Sequence, residues 1–431
     1  MNALVETSNL EKFYKKSIGE RVQIVAQMCN LDANETSLLT SAVDPSLMNA
    51  LDGMIENVIG AFPLPLGIAT NFIINGKERL VTMAIEEPSV IAGASNAAKM
   101  ARPRGGFDTS DVASLMIGQI QLVDVEDSNA AIEALRANQD AIIAMANEQD
   151  PILVNAGGGA RRIDTFTIDT NLGVMIDVHL IVDCLDAMGA NVVNTMVEKI
   201  APMLESITGG RSLLRIVSNL AVHRVARARA IFDKELLGGN DVVGNIIEAA
   251  EFAMNDMFRA TTHNKGIMNG VSAVVRATGN DTRAVEAGAH AFAAWNHPYQ
   301  PLTRYHADEN GDLVGEIELP VAVGTIGGAT KTHPVAGLCL KIMEIESASD
   351  LSQVIAAVGL AQNFAALRAL VSEGIQKGHM RLHAKNVVRM AGIPAAYHDR
   401  VIELMVDRGS VRLDVAREIF GELKQSDEGD G

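Results

Sequence analysis

The sequence predicts an α+β protein with three parts: a large, mostly helical domain, an inserted ferredoxin-like domain and a C-terminal helical flap. Between about residues 117 and 219, strand and helix patterns follow the order β-α-β-β-α-β, which is the ferredoxin-like arrangement. Long helical patterns lie on both sides of this segment. The tail after residue 374 carries short apolar helices that must pack on something, as a lid does. The expected ranges are 1–113 and 220–374 for the large domain, 114–219 for the small domain and 375–431 for the flap.

The first elements are helices followed by a β-hairpin. The segment up to about Gly60 has a helical pattern, with a helix-start signal at residues 32–35. Two apolar runs, 67–74 and 79–85, are joined by Asn75-Gly76. Because both residues tolerate a positive φ, this pair strongly indicates a two-residue hairpin turn.

The remaining elements follow from periodicity and turn residues. In the inserted segment, strands are expected at 117–125, 162–168, 174–182 and 213–218, with helices at 128–148 and 186–207. Beyond it, helices are expected at 243–258, 282–295, 333–344 and 349–373, with a hairpin turn at 308–311.

Composition limits the classes of function. The 431 residues carry a net charge of −17, which disfavours nucleic acid and anionic membranes as partners. Cys29, Cys184 and Cys339 lack any CxxC spacing, which favours a reducing compartment without a disulfide or zinc framework. His379 and His383 stand four apart but lack the acidic residues of a zinc motif, so no metal is predicted. With no signal peptide and no long apolar stretch, a soluble cytoplasmic protein is expected.

Four polar segments could carry chemistry, and each also has a structural explanation. In residues 263–270, glycines frame Lys265, which could stabilise an oxyanion, although a surface turn explains this stretch alone better. Residues 278–281 precede a helix that Asp281 can cap. Residues 86–89 could simply start a helix. Alternatively, one of their two acids could lie in a desolvated site, where it would carry a proton at neutral pH. Residues 186–191 open a helix that is either simply capped or binds a pyrophosphate.

Taken together, these segments resemble the soluble, class II 3-hydroxy-3-methylglutaryl-coenzyme A (HMG-CoA) reductases. Segments 86–89, 186–191, 263–270, 278–281, 327–333 and 373–379 occur in the order and roughly the spacing of that family. The resemblance extends from about Asn57 into the tail. It identifies the large domain with HMG-CoA binding and the small domain with dinucleotide binding.

The resemblance implies catalytic and substrate-binding residues. Lys265 matches the lysine that stabilises the oxyanion, Glu87 the glutamate that donates a proton, and Asp281 the aspartate that hydrogen-bonds with this pair. His379 matches the histidine that protonates the departing coenzyme A thiolate. The family's substrate contacts correspond to Arg259 and Asn269, with Ser89 and Gln362 as neighbours of that pocket.

The implied reaction interconverts HMG-CoA with mevalonate and coenzyme A. It proceeds by two hydride transfers, through mevaldyl-CoA thiohemiacetal and mevaldehyde. The family resemblance also implies a homodimer, or a higher oligomer, with the active site between subunits and the tail closing over bound substrate.

The implied cofactor is a nicotinamide dinucleotide. Its contacts correspond to Asp186, Met188, Gly189, Ala190, Asn191 and Asn219. Asp150 matches a carboxylate that faces the adenosine ribose, which favours NADH because a carboxylate repels a 2′-phosphate. Arg161 and Arg162 depart from that pattern and would make NADPH acceptable if one of them reached the ribose.

Two other classes of function remain open from the sequence. One is a different coenzyme A thioester enzyme, such as an acyltransferase or a lyase, which needs no nicotinamide. The other is a coenzyme A-binding regulatory module, in which Lys265→Ala would leave function intact.

Overall fold

A computed structural model describes the backbone of residues 10–372 and 375–429, and the side chains of 10–372 and 383–425. After a short 3-10 turn (Phe13–Lys15), the described residues form three short helices, each with a side-chain N-cap: α1 (Ile18–Cys29), α2 (Ala33–Thr40) and α3 (Pro45–Asp52). The start signal at residues 32–35 is a capping box, in which Asp32 and Glu35 each accept a backbone N–H of the other.

The predicted hairpin follows these helices. Strands β1 (Leu66–Ile74) and β2 (Lys77–Ala84) pair antiparallel across Asn75 and Gly76, whose φ angles are 49° and 75°. Helix α4 (Val90–Ala101) and the short strand β3 (Phe107–Thr109) complete this part of the large domain.

The inserted segment has the predicted ferredoxin-like topology. Its elements are β4 (Leu115–Val123), α5 (Ser128–Ala137), α6 (Gln139–Asn147), α7 (Pro151–Asn155), β5 (Gly159–Thr170), β6 (Gly173–Asp183), α8 (Ala190–Thr208) and β7 (Arg211–Ser218). The sheet order is β5-β6-β4-β7, and all three strand pairs are antiparallel. The chain therefore leaves the large domain before β4 and returns to it after β7.

The second half of the large domain is longer and more helical. It comprises β8 (Val225–Phe232), α9 (Lys234–Leu237), α10 (Asn240–Asn255), α11 (Met257–Ala277), α12 (Thr282–Phe292), β9 (Thr303–Ala307), β10 (Leu313–Pro320), α13 (Gly328–Thr332), α14 (Pro334–Ile342) and α15 (Ala348–Val371). A third, separate core belongs to α16 (Ile375–Met390), α17 (His398–Asp407) and α18 (Leu413–Gly429).

A six-stranded sheet organises the large domain, in the order β2-β1-β3-β8-β10-β9. The α+β class is confirmed, but a description of this domain as mostly helical overlooked β3 and β8. In β8, small residues at 226, 228 and 230 alternate with arginines, a strand pattern with little apolar volume. Helices α4, α11 and α15 pack beside this sheet in one core with it.

Several predicted helix boundaries were wrong for local reasons. The helix expected at 128–148 is divided at Asn138, whose backbone leaves the helical region. The helix expected from residue 186 begins only at Ala190, after Gly189 with a φ of 106°. The helix expected at 243–258 ends at Asn255, because extended backbone at Asp256 starts the next helix.

Helix α15 lies at the centre of the large domain. In the described part of the chain it is the one helix long and apolar enough to cross a membrane, by length and composition alone. Two thirds (67%) of its most apolar window is buried, as in a core helix.

Arg224 joins the two domains at the point where the chain returns to the large one. Its side chain is 1% exposed and donates to the carbonyl oxygens of Ala187 (2.9 Å), Met188 (3.3 Å) and Val323 (2.5 Å). Beside it, the backbone of Asp186 accepts a hydrogen bond from Thr325. A buried guanidinium therefore fixes the loop before α8 against the strand-to-helix connection of the large domain.

We expect Arg224→Leu to lower the free energy of unfolding by about 3 kcal/mol, since three buried carbonyl groups lose a charged donor. Urea unfolding followed by circular dichroism measures this change. The matched control is Arg211→Leu, which removes an exposed ion pair with Asp124 and should change stability by less than about 0.5 kcal/mol. Equal effects at the two positions would contradict the role given to Arg224.

Candidate active site

Lys265 lies on α11, because residues 263–270 form a helix rather than the surface turn that this stretch alone favoured. Asp256 caps α11 by accepting the backbone N–H of Arg259 at 2.7 Å. Helical geometry then buries His263 and Asn264 and turns Lys265 to the opposite, exposed face. The glycine at 270 serves close packing, since a Cβ there would lie 2.9 Å from Cβ of Gln362 on α15.

The ammonium group of Lys265 contacts Glu87, which lies in the connection between β2 and α4. Nζ and Oε2 are 3.1 Å apart, although the two residues are separated by 178 positions. The side chains are 61% and 34% exposed. Because so exposed an ion pair contributes little to stability, the fold does not depend on this contact.

Asp281 acts as the predicted helix cap. Its Oδ1 accepts the backbone N–H groups of Arg283 (3.0 Å) and Ala284 (3.2 Å), and its Oδ2 pairs with the Arg283 guanidinium at 3.2 Å. Among the contacts of the described residues there is no hydrogen bond from Asp281 to Lys265 or Glu87, which differs from the resemblance. Capping occupies the carboxylate oxygen that faces the helix.

Two buried side-chain oxygens, one at the start of α4 and one on α15, have no partner among the described residues. Ser89, the N-cap of α4, has a φ of 74° and a buried Oγ. Gln362 is 7% exposed, and its Oε1 is also unpaired. Gln362 reaches α4, since a Cβ on Gly93 would lie 3.6 Å from its Nε2. Unpaired buried polar atoms cost free energy, so a polar ligand bound there would satisfy them.

Arg259, Asn269 and His379 complete the predicted catalytic and substrate set. Arg259 and Asn269 are half-buried on α11, on either side of Lys265 in sequence. Burial lowers the pKa of the Arg259 guanidinium. His379 belongs to the segment of α16 whose side chains lie outside the described residues, so its position relative to Lys265 is untested.

A cavity of about 1000 Å³ opens beside α8. Four predicted cofactor contacts line it, together with Asp281 and with apolar side chains from residues 43–64; these four are Met188, Gly189, Ala190 and Asn191. Gly189 provides no side-chain cap, so the first N–H groups of α8 lack a capping side chain. A helix start of this kind beside a cavity can bind a phosphate group.

The other predicted cofactor residues hold structural positions outside that cavity. Asp150 caps α7 by accepting the Leu153 N–H at 2.9 Å. Asp186 accepts the Ala348 N–H at 2.7 Å, at the start of α15, and so is not part of α8 as predicted. Asn219 is an exposed residue directly after β7.

Both arginines near the predicted ribose site are engaged with carboxylates. Arg161 pairs with Asp183 at 3.0 Å, and Arg162 pairs with Asp164 at 3.1 Å.

Sequence reasoning missed two residues that shape the cavity. Asn280 lines it and accepts the Gly324 N–H at 2.8 Å, which holds the two walls together. Arg276 lines it and donates to the Ala84 carbonyl oxygen at 3.0 Å. Asn280 was within reach of prediction, because it stands beside Asp281 in the segment already singled out. Arg276 had no local signal, since it is one basic residue in a long helix.

His263 is a buried, neutral histidine directly before the Lys265 turn. It is 1% exposed, and its Nε2 lies 2.6 Å from Oγ1 of Thr303. Burial, together with the nearby charge of Arg259, lowers its pKa to about 3. The positive charge on this part of α11 therefore belongs to Lys265 and Arg259 rather than to His263.

These features define the class of the protein as an α+β multidomain fold, in which a ferredoxin-like domain lies beside a wide cleft and the adjoining domain carries an exposed lysine–carboxylate pair. Residues 17–384 match the hydroxymethylglutaryl-coenzyme A reductase family. The 3-hydroxy-3-methylglutaryl-coenzyme A reductase of Archaeoglobus fulgidus is 56% identical over 97% of this chain and 95% of its own length. A probable reductase of the same name from Borreliella burgdorferi is 37% identical over 88% and 86%.

Solved structures agree with this match. The class II 3-hydroxy-3-methylglutaryl-CoA reductase of Streptococcus pneumoniae, bound to NADPH in open conformations, superposes with a TM-score of 0.75. It is 38% identical and covers 95% of this chain and all (100%) of its own. The chain belongs to the HMG-CoA reductase family and is an oxidoreductase, which excludes the acyltransferase, lyase and regulatory-module alternatives.

We expect His263 to make stability depend on pH in the acid range. Its pKa is about 3 in the folded protein and near 6.5 when unfolded, so the unfolded state binds more protons between these values. The contribution of His263 to the free energy of unfolding is therefore fully present above pH 6.5. It decreases as the pH drops, by at most about 1.4 kcal/mol per pH unit. Urea unfolding at pH values between 4.5 and 7 should give a shallower slope for His263→Gln than for the wild type, and equal slopes would contradict the assignment.

Proposed function

We propose that the chain interconverts HMG-CoA with mevalonate and coenzyme A by two successive hydride transfers, with NADH favoured over NADPH. The reduction converts a thioester first to mevaldyl-CoA thiohemiacetal, then to mevaldehyde by loss of coenzyme A, and finally to the alcohol. Each hydride delivered to a carbonyl carbon leaves negative charge on its oxygen. The balanced reaction consumes two hydrides and two protons for each mevalonate formed.

The observation that carries the proposal is the contact between Lys265 and Glu87. A fixed ammonium group is the countercharge that an oxyanion requires at both reductions. A carboxyl group 3.1 Å from it can deliver the proton that converts the oxyanion to a hydroxyl. The ammonium group and the carboxyl group are close enough to contact the same carbonyl oxygen of the substrate.

We assign the remaining substrate contacts to the unpaired buried groups at the start of α4 and on α15, and to two further residues of α11. Ser89 and Gln362 offer buried oxygens that a hydroxyl donor on the substrate would satisfy. Arg259 and Asn269, on the same helix as Lys265, supply a guanidinium for the substrate's carboxylate and an amide for its hydroxyl. We assign to Asp281 the task of orienting the pair, once bound substrate narrows the cleft that it lines.

Departure of coenzyme A requires an acid, and we assign it to His379. A thiolate is a poor leaving group for a thiohemiacetal unless it is protonated, and an imidazolium supplies that proton near neutral pH. The helical unit formed by α16, α17 and α18 has its own core and follows α15 directly. Such a unit can move as one body, so we infer that it is a flap that brings His379 over bound substrate.

The residues beside α8 suit a nicotinamide dinucleotide, which would supply the hydride. The uncapped helix start faces a cavity of about 1000 Å³, and Met188, Gly189, Ala190 and Asn191 line its mouth. Asp186 and Asn219 bound the same end of the small domain. The preference for NADH rests on Asp150, because both nearby arginines already pair with carboxylates and a 2′-phosphate would meet an unpaired negative charge.

We further propose a homodimer in the cytoplasm. Lys265 is 61% exposed, and apolar Met257 and Phe258 are exposed two turns before it on the same helix. A second copy that covers these side chains would exclude water from the lysine–glutamate pair. Cys29, Cys184 and Cys339 are free thiols, which agrees with a reducing compartment.

We expect Lys265→Met to lower kcat by about a hundredfold to a thousandfold while the fold is preserved, since oxyanion stabilisation is lost. The assay follows nicotinamide absorbance with HMG-CoA and NADH, and circular dichroism checks folding. The matched control is Lys99→Met, an exposed lysine at the end of α4, which should retain wild-type kcat. Undiminished turnover of Lys265→Met would refute the assignment.

Asp150→Ala should narrow the ratio of kcat/KM between NADH and NADPH, because the charge that repels a 2′-phosphate is removed. Since Asp150 also caps α7, Asp150→Asn is the sharper variant: asparagine caps equally well but carries no charge. Steady-state rates with both cofactors measure the ratio. If Asp150→Asn kept the wild-type ratio, discrimination would lie elsewhere.

A further inference from the structure

A closed ring of hydrogen bonds lies directly behind the turn of α11 that carries Lys265. His263 Nε2 is 2.6 Å from Thr303 Oγ1, and Thr303 Oγ1 donates to Asn363 Oδ1 at 2.9 Å. Asn363 Nδ2 donates back to the carbonyl oxygen of His263 at 3.5 Å. The ring therefore joins α11, β9 and α15, and each of its three residues is at most 1% exposed.

The direction of the bonds in the ring follows from the Thr303 hydroxyl. Its one proton goes to Asn363, which leaves Oγ1 to accept from His263 when Nε2 carries the imidazole proton. The neutral imidazole then has no proton on Nδ1, which is buried without a partner among the described residues. The low pKa of His263 agrees with this neutral tautomer.

A second anchor fixes the same turn. Asn264, fully buried beside His263, donates to the Gln300 carbonyl oxygen at 2.9 Å and accepts the Leu302 N–H at 3.0 Å. The two residues before Lys265 are thus bound to the segment that leads into β9, in addition to the ordinary bonds of the helix. This turn of α11 can neither rotate nor slide without breaking buried polar bonds.

The ring also reaches the other side of the candidate substrate pocket. Asn363 follows Gln362, whose Cβ packs where Gly270 of α11 leaves room. One set of bonds therefore fixes the helix turn that presents Lys265 and the helix turn that presents Gln362. Apolar side chains could fill this space without needing any hydrogen-bond partners. A fully buried polar ring therefore contributes more to the fixed position of these helix turns than to stability.

We propose that Thr303 and Asn363 are positioning residues for the reduction, which act through His263 to keep the Lys265 ammonium beside Glu87 and the reacting carbonyl. The inference rests on the catalytic role proposed above for Lys265. Misplacement of a catalytic group by about 1 Å can cost about a hundredfold in rate. The ring prevents such a displacement on the side of α11 that faces away from solvent.

The test is Thr303→Val in the full-length protein, since valine matches threonine in shape but breaks the ring at two bonds. We expect kcat to fall by about tenfold to a hundredfold, with the KM for NADH within about twofold of wild type. Thr303→Ser restores the hydroxyl and should recover kcat. If Thr303→Val does not fold, Thr303→Cys, with its weakly bonding thiol, should give the same loss in kcat.

Tyr305→Phe is the matched control. The Tyr305 hydroxyl donates to the same Asn363 oxygen at 2.9 Å and also neighbours Thr303, but among the described contacts it makes no hydrogen bond to α11, so its removal should leave kcat within about twofold while lowering the melting temperature. A wild-type kcat for Thr303→Val, or an equal loss for Tyr305→Phe, overturns the proposal. If Lys265→Met is inactive and Thr303→Val is fully active, only the positioning role of the ring is refuted. If Lys265→Met is active, the proposed function itself is refuted.

Discussion

The close packing of α11 against α15 is the constraint on which the rest of the large domain depends. Two glycines allow it: a Cβ at Gly270 would lie 2.9 Å from Gln362, and a Cβ at Gly359 would lie 3.0 Å from Val271. Close approach lets both helices share one core with the six-stranded sheet. Because helix surfaces in contact cannot shift independently, Lys265 on α11 and Gln362 on α15 keep a fixed spacing.

The side chains to which we assign the chemistry lie at the edges of this packed centre rather than inside it. Lys265 projects from the exposed face of α11 and meets Glu87 from the loop before α4. The inward face of the same turn is polar and is anchored by hydrogen bonds of His263 and Asn264. An exposed charge on a rigid base can meet a substrate without reorganising, which is the physical requirement for stabilising a developing oxyanion.

Local patterns were enough to predict the ferredoxin-like insert, the antiparallel β1–β2 hairpin, the antiparallel β9–β10 hairpin around the turn at 308–311, and the cap at Asp281. Each of these depends on residues adjacent in sequence: period-two strands, Asn75-Gly76 and an acid before a helix. The glycine-flanked helix around Lys265 was mistaken for a turn, because glycine propensity was outweighed by burial against α15. Strand β8 was not predicted, because its buried residues at 226, 228 and 230 are alanines, which give a weak apolar pattern. The partnership of Lys265 with Glu87 came from family resemblance, since no local pattern encodes a contact across 178 residues.

Capping and binding are compatible roles for the acids that the resemblance singled out. Asp281, Asp150 and Asp186 each use Oδ1 to accept a backbone N–H at the start of a helix: α12, α7 and α15. A carboxylate has a second oxygen, and the cap fixes the rotamer that aims it. Asp281 shows the consequence, since its Oδ2 already binds a guanidinium at the edge of the cleft. A helix cap therefore preorganises a charge without any additional contact. The hydrogen bonds that start the helix also determine where the second carboxylate oxygen points before a ligand binds.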